Sequence, residues 1–130
     1  MADTIELEVA TPARQVVRET VTDVEIPGKD GYLGILPGHA ALLGLLGAGT
    51  LAYSTGGGKR YVAIQGGFVE VSEDHVRVLA DIAEPAGEID AARAQADLVR
   101  AQAEAAGADP EAALKAAALA QARIETARRA

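Results

Sequence analysis

The chain changes character at Pro85, and that boundary limits its fold more than any other feature. Before it, β-branched residues alternate with charged ones, and glycines recur every few positions. From residue 89 on, Gly107 is the sole glycine and Pro110 the sole proline, among Ala, Leu, Gln, Glu and Arg. The first set favours pleated, half-buried strands and the second favours helix. Two modules of different kind follow: residues 1–84, a linker over 85–88, and residues 89–130.

In the first module Ile5, Leu7 and Val9 point one way and Glu6 and Glu8 the other, the period of a half-buried strand. Val24 and Ile26 alternate with Asp23 and Glu25, and Val76, Val78 and Ala80 with Arg77 and Leu79. Turn signals at residues 27–31, 55–58, 66–67 and 72–74 separate the strands. Short strands at this spacing predict an antiparallel β-sandwich, and about 85 residues suffice for such a core.

In the second module Gly107 suits a helix C-terminus, Asp109 an N-cap and Pro110 a first helical position. The spacing predicts an antiparallel two-helix hairpin. Leu114, Ala117, Ala118, Gln121 and Ile124 form the expected stripe of the second helix, and Ala91, Ala94, Leu98 and Ala105 that of the first. Faces so rich in alanine bury little area at ~25 cal/mol per Å², so the hairpin is expected to be held weakly and to change its docking.

Composition excludes several chemistries. Zero Cys removes disulfides, thiol nucleophiles and thiolate zinc sites. Zero Trp, 3% aromatic residues and a net charge of −7 argue against a nucleic-acid surface. The acidity lies before residue 89, where thirteen acidic residues face six basic ones; beyond it six face six. Arg123, Arg128 and Arg129 end the chain, complementing the helix dipole or facing an acidic partner. The longest apolar run, residues 40–48, is short of the ~20 residues of a spanning helix. Met1-Ala2-Asp3-Thr4 lacks the basic start and apolar core of a signal peptide, so a soluble, intracellular protein is expected, free to join a membrane complex.

No reactive constellation emerges. The stretch Gly56-Gly57-Gly58-Lys59-Arg60 fails as a phosphate loop, because Tyr53 stands at the first required glycine and Arg60 at the required Ser or Thr. It reads as a hairpin turn. His39 and His75 have no metal-ligand spacing, and His39 is expected to make a structural hydrogen bond at a turn. Glu73 and Asp74 read as a solvated turn. The expectation is a non-enzyme without a metal site. One segment, Ile89-Asp90-Ala91-Ala92-Arg93-Ala94, stays open between two readings. Asp90 caps a helix and Ile89 staples onto Ala94. Arg93, a cation in the first turn, either projects to solvent or waits for an anion.

The run Gly31-Tyr32-Leu33-Gly34-Ile35-Leu36-Pro37-Gly38-His39-Ala40, with Pro27-Gly28 before it and Leu42-Leu43 after it, resembles the epsilon subunit of bacterial F-type ATP synthases. So do Gly66-Gly67-Phe68-Val69-Glu70-Val71, Val76-Arg77-Val78-Leu79-Ala80 and the opening Ile89-Asp90 to Arg93-Ala94. The resemblance implies a sandwich of about ten strands with a C-terminal helical hairpin. It implies a non-catalytic rotor subunit of the central stalk, coupling proton-driven rotation to ATP synthesis. Its sandwich would bind the gamma subunit and rest on the c-ring, with Lys29, Asp30, Tyr32 and His39 as contacts. Some relatives carry an acidic residue where Tyr32 stands, which changes the ion pair expected there. The protein would sit peripherally on the cytoplasmic face of the bacterial inner membrane, meeting the membrane only through the complex.

In several relatives the hairpin extends along gamma into the alpha–beta head and brakes hydrolysis. Arg123, Arg128 and Arg129 would then meet acidic residues of the beta subunit. No cofactor is required, but in some relatives ATP is a regulatory ligand of the folded hairpin. The matching positions are Glu84, Ile89, Asp90, Arg93, Ala94 and Arg123, the acids toward base or ribose and the arginines toward phosphates. The alternative is a free-standing nucleotide-sensing β-sandwich adaptor of another complex, which would not co-purify with gamma, alpha and beta.

Overall fold

The computed structural model describes residues 3–130; the expectation placed on Met1 and Ala2 lies outside them. Eight strands come first: β1 (Ile5–Ala10), β2 (Gln15–Val21), β3 (Asp23–Gly28), β4 (Gly31–Ile35), β5 (Leu42–Leu45), β6 (Ala48–Thr55), β7 (Gly58–Ser72) and β8 (His75–Pro85). A 3-10 turn over Ala86–Glu88 leads to α1 (Ala91–Glu104) and α2 (Pro110–Arg129). The strands pair in the order β2-β1-β8-β7-β6-β3-β4, with β5 added on β7.

Eight strands make two layers because β7 and β8 each serve both. The first half of β7 pairs with β6, and its second half with β5. At the crossing, Gln65 faces Ile82 and Gly67 faces Ala80, and the step between them, Gly66 opposite Asp81, is left out of the ladder. Gly66 and Gly67 take φ of +69° and +97°, a conformation that side chains resist. A Cβ on Gly67 would run into the carbonyl oxygen of Leu79. The glycine pair therefore bends a continuing strand and does not end it, which corrects the turn expected there. Counted as segments, each layer has five, and the expected ten strands become eight.

One pairing departs from the antiparallel expectation: β1 runs parallel to β8, with Leu7 opposite Val76 and Val9 opposite Val78. It joins the two ends of the module, so no local turn signal could announce it. Between the layers lie Ile5, Leu7, Val9, Val24, Ile26, Ile35, Leu51, Val62, Ile64, Val69 and Val78, all at or below 1% exposure. The alternation seen in the sequence is the alternation of this core.

β6 is buried on both faces. Leu51 and Tyr53 enter the core, while Thr50 and Ala52 face outward and are still buried. In register beside them on β7, Ala63 and Gln65 do the same. These small side chains form a seat, and α2 lies on it against β6 and β7. α1 packs mainly on α2.

The buried face of α2 is not the expected stripe. Ala113, Ala120, Ala122, Ile124 and Thr126 are buried, whereas Leu114 is 63% exposed and Ala118 and Gln121 are exposed. On α1 the buried residues are Ala94 and Ala101; Ala91 is exposed, and Leu98 and Ala105 are half-buried. α2 must satisfy the sheet and α1 at once, so its buried arc is wider than a single stripe and turned from it. Caps fall where the sequence placed them. Asp90 accepts from the Arg93 amide and Asp109 from the Ala112 amide, each at 3.0 Å.

Candidate functional site

Four polar fasteners hold α2 on its seat. Gln65 Nε2 donates to the Lys115 carbonyl at 2.9 Å. Thr50 and Thr126 share a hydroxyl–hydroxyl bond of 2.8 Å, with both residues at most 1% exposed. The Arg129 guanidinium lies over the Tyr61 ring, 4.7 Å from its centroid. Arg123 reaches two carboxylates: Nε donates to Glu84 Oε1 on β8 at 2.8 Å, and Nη1 to Asp97 Oδ2 on α1 at 3.4 Å.

Thr50 carries a second link. Registered pairing of β3 with β6 ends at Glu25 and Ala52, leaving the amide of Thr50 beyond it. The Tyr32 hydroxyl fills the gap and accepts that amide hydrogen at 3.0 Å. Tyr32 lies so close to Gly49 that a Cβ there would overlap the phenol.

Between the helices runs an open cleft of about 360 Å³, lined by Arg93, Asp97, Arg100, Glu104, Leu119 and Arg123 among others. Arg93, Asp97, Arg100 and Glu104 share one face of α1 by their spacing of four, three and four. Of the residues anticipated for nucleotide, Arg93 and Arg123 line this cleft. Asp90 is committed to its cap, Glu84 is bonded to Arg123, Ala94 is fully buried, and Ile89 is half-buried between the 3-10 turn and α1. Asp97 and Arg100 were missed, although their spacing from Arg93 put them on its face. Arg128, anticipated as a partner contact, is exposed.

The other layer leaves its outer face uncovered by the hairpin. Cross-strand register there lines up Leu45, Phe68, Leu79 and Ala10 in an apolar row. Leu45 is 61% and Phe68 41% exposed, and Leu43 beside them is 71% exposed. The neighbouring row is Leu43, Glu70, Arg77 and Glu8, with Arg77 Nε 3.9 Å from Glu8 Oε2. The run Leu42-Leu43-Gly44-Leu45-Leu46 signalled this surface, because its alternate residues cannot all face one core.

The anticipated contacts Lys29, Asp30, Tyr32 and His39 are all exposed. The first three share the β3–β4 hairpin. His39 sits in the following loop; its Nδ1 is 2.7 Å from the Ala40 carbonyl, and its amide donates to Leu36. That loop is tied through Gly38 to Asp74, at the β7–β8 turn. At the linker, Arg14 Nη2 bonds Glu88 Oε1 at 2.7 Å, and this bond raises the arginine pKa. Burial raises the Tyr53 pKa, helped by Glu19 and opposed by Arg60. Among the described residues no group of His, Asp or Glu is placed to hold a metal, and no helix is long and apolar enough to cross a membrane.

These features define a β-sandwich protein with a helical hairpin seated by polar bonds on one face. Residues 4–86 match the family description "ATP synthase, Delta/Epsilon chain, beta-sandwich domain", and the chain belongs to that family. The ATP synthase epsilon chain of Solibacter usitatus is 68% identical over 90 residues, 69% of this chain and 67% of that one. That of Koribacter versatilis is 49% identical over 92 residues, 71% of this chain and 65% of that one. The matched segment thus spans about two thirds of these relatives' length.

Among solved structures, a chain of the Euglena gracilis mitochondrial ATP synthase OSCP/F1/c-ring assembly in rotational state 1 superposes with a TM-score of 0.80. Identity is 26%, over 99% of this chain and 82% of that one. A chain of the Tetrahymena thermophila mitochondrial ATP synthase central stalk and c-ring, at TM-score 0.57 and 18% identity, supports the fold alone. It covers 96% of this chain and 94% of that one.

Proposed function

We propose that this chain is the epsilon subunit on the central stalk of a bacterial F-type ATP synthase, a rotor part without catalysis of its own. The observation that carries the reading is the unlike dressing of its two outer faces. One is closed by a hairpin on small side chains; the other presents Leu43, Leu45 and Phe68 to solvent. An exposed apolar row rimmed by charge marks a protein contact, here with gamma. The β3–β4 hairpin carrying Lys29, Asp30 and Tyr32, together with His39, meets gamma and the c-ring polar loops. The protein is therefore peripheral, on the cytoplasmic face of the membrane that holds the ring.

The hairpin is the brake. α2 has 20 residues and spans ~30 Å, a stalk-to-head distance once the hairpin opens. Arg123, Arg128 and Arg129 then face acidic residues of the beta subunit in the alpha–beta head. ATP is the regulatory ligand of the closed form. Arg93 and Arg100 hold its phosphates in the interhelical cleft, and Arg123 joins them. A ligand confined to the closed form favours the unbraked enzyme.

The test is hydrolysis by the purified head with the full chain and with a chain ending at Glu88. Faster hydrolysis with the short chain, still bound to gamma, is the expected result. Unchanged hydrolysis removes the brake, and a chain that does not bind gamma removes the rotor assignment. Calorimetric titration with ATP tests the ligand: heat that Arg93→Ala abolishes supports it, and an intact chain that gives no heat ends it.

A further inference from the structure

Arg123 is the one side chain whose hydrogen bonds, among the described residues, join α2 to the sandwich and to α1 together. Its side chain is 16% exposed, and Glu84 and Asp97 are 25% and 31% exposed. Charge-assisted bonds so shielded are stronger than surface pairs, which are often worth nothing measurable. The two partners belong to different elements: Glu84 to β8 and Asp97 to α1. α1 in turn leans on α2.

We propose that Arg123 is a two-armed clasp that fixes the order in which the hairpin comes apart. The Glu84 arm governs docking of α2 on the sandwich. The Asp97 arm governs closure of α1 on α2. Losing the Asp97 arm frees α1 and leaves α2 seated, because the Glu84 arm still holds it together with Gln65, Thr50 and Tyr61. Losing the Glu84 arm releases α2, and α1 follows because its chief support has left. The hairpin thus has a partly opened state, with α1 free and α2 docked, reached before release. The clasp concerns the chain by itself and stands apart from the rotor assignment.

Amide hydrogen exchange on the isolated full chain reads each element separately. Asp97→Asn should speed exchange in α1 about tenfold, the effect of losing one charged hydrogen bond, with α2 unchanged. Glu84→Gln should speed α1 and α2 together by a similar factor. Arg123→Met should do the same, and raised salt should loosen the hairpin of the unaltered chain but not of this variant. The exchanged pair, Arg123→Glu with Glu84→Arg, should restore protection in α2 while α1 stays fast, since Asp97 then faces a like charge. Strand amides of β1 and β8 should hold still throughout. The clasp is refuted if α1 and α2 respond alike to Asp97→Asn and Glu84→Gln, if neither responds, or if the exchanged pair restores nothing.

Discussion

The sandwich and the hairpin of this chain are stabilised by different means. Every fully buried large side chain, from Ile5 to Val78, lies in the sandwich. The hairpin buries five alanines, one isoleucine and one threonine. A buried Val, Leu or Ile contributes about 1.5–3 kcal/mol and a methyl group roughly 0.8 kcal/mol. The sandwich can therefore rely on non-directional area. The hairpin relies on a few directional bonds that must form together: Gln65 to Lys115, Thr50 to Thr126, Arg123 to its carboxylates, Arg129 over Tyr61. Area resists small shifts of position, whereas directional bonds fix one position and vanish when it is left. A platform suits the first means and a movable part the second.

The strongest test of the platform is Gly67→Ala. Its φ of +97° disfavours any side chain, and the added methyl meets the backbone of Leu79 and Ala80. Because this bend lets β7 serve both layers, the strain cannot be relieved at a loop. The sandwich should lose about 3 kcal/mol or more, read as a lowered denaturant midpoint. A variant as stable as the parent would mean that the layers are not joined by this bend.

That bend also shows where the sequence could be read and where it could not. Alternation at Ile5, Leu7 and Val9 revealed a half-buried strand because one face meets the core and the other meets water. Asp90 and Asp109 were legible as caps because capping needs only the next turn. The Gly66-Gly67 pair was not, because two glycines mark a reversal and a bend equally well; the pairing partners on either side decide. The parallel contact of β1 with β8 depends on the whole intervening chain. α2 failed for another reason. In a helix of alanines the periodic contrast is faint, and Leu114, one of three large apolar residues in α2, drew the stripe toward solvent. Asp97 was on the right face of α1, but its partner lies 26 residues away on another element.

A smaller effect is expected where the hairpin meets its seat. Thr126→Val deletes one hydroxyl and leaves the Thr50 hydroxyl buried without its partner, at a cost of about 1–3 kcal/mol. Proteolysis within α2, after Arg123 and Arg128, should quicken while the sandwich melts as before. Replacing both threonines by valine should recover most of the loss, since two apolar groups of the same shape need no bond. If the double variant is the weakest of the three, packing and not the hydroxyl pair sets the docking of α2.

The smallest effect returns to the sandwich and concerns pH. Tyr53 enters the core from β6 and is 6% exposed. Burial, with help from Glu19, favours its neutral phenol in the folded chain, so its pKa is raised there. In the unfolded chain a tyrosine ionises near pH 10. The folded state binds this proton more tightly, so the contribution is fully present below about pH 10 and is lost as pH rises through the folded value. The melting temperature of the sandwich should fall with alkali above that point, and Tyr53→Phe should flatten the fall. Salt at neutral pH should leave the sandwich alone and loosen the hairpin. The two regions then fail to different reagents, because one buries a neutral phenol in its core and the other holds its position through ion pairs. An alkaline slope undiminished in Tyr53→Phe would place the weak point outside the core and remove that distinction.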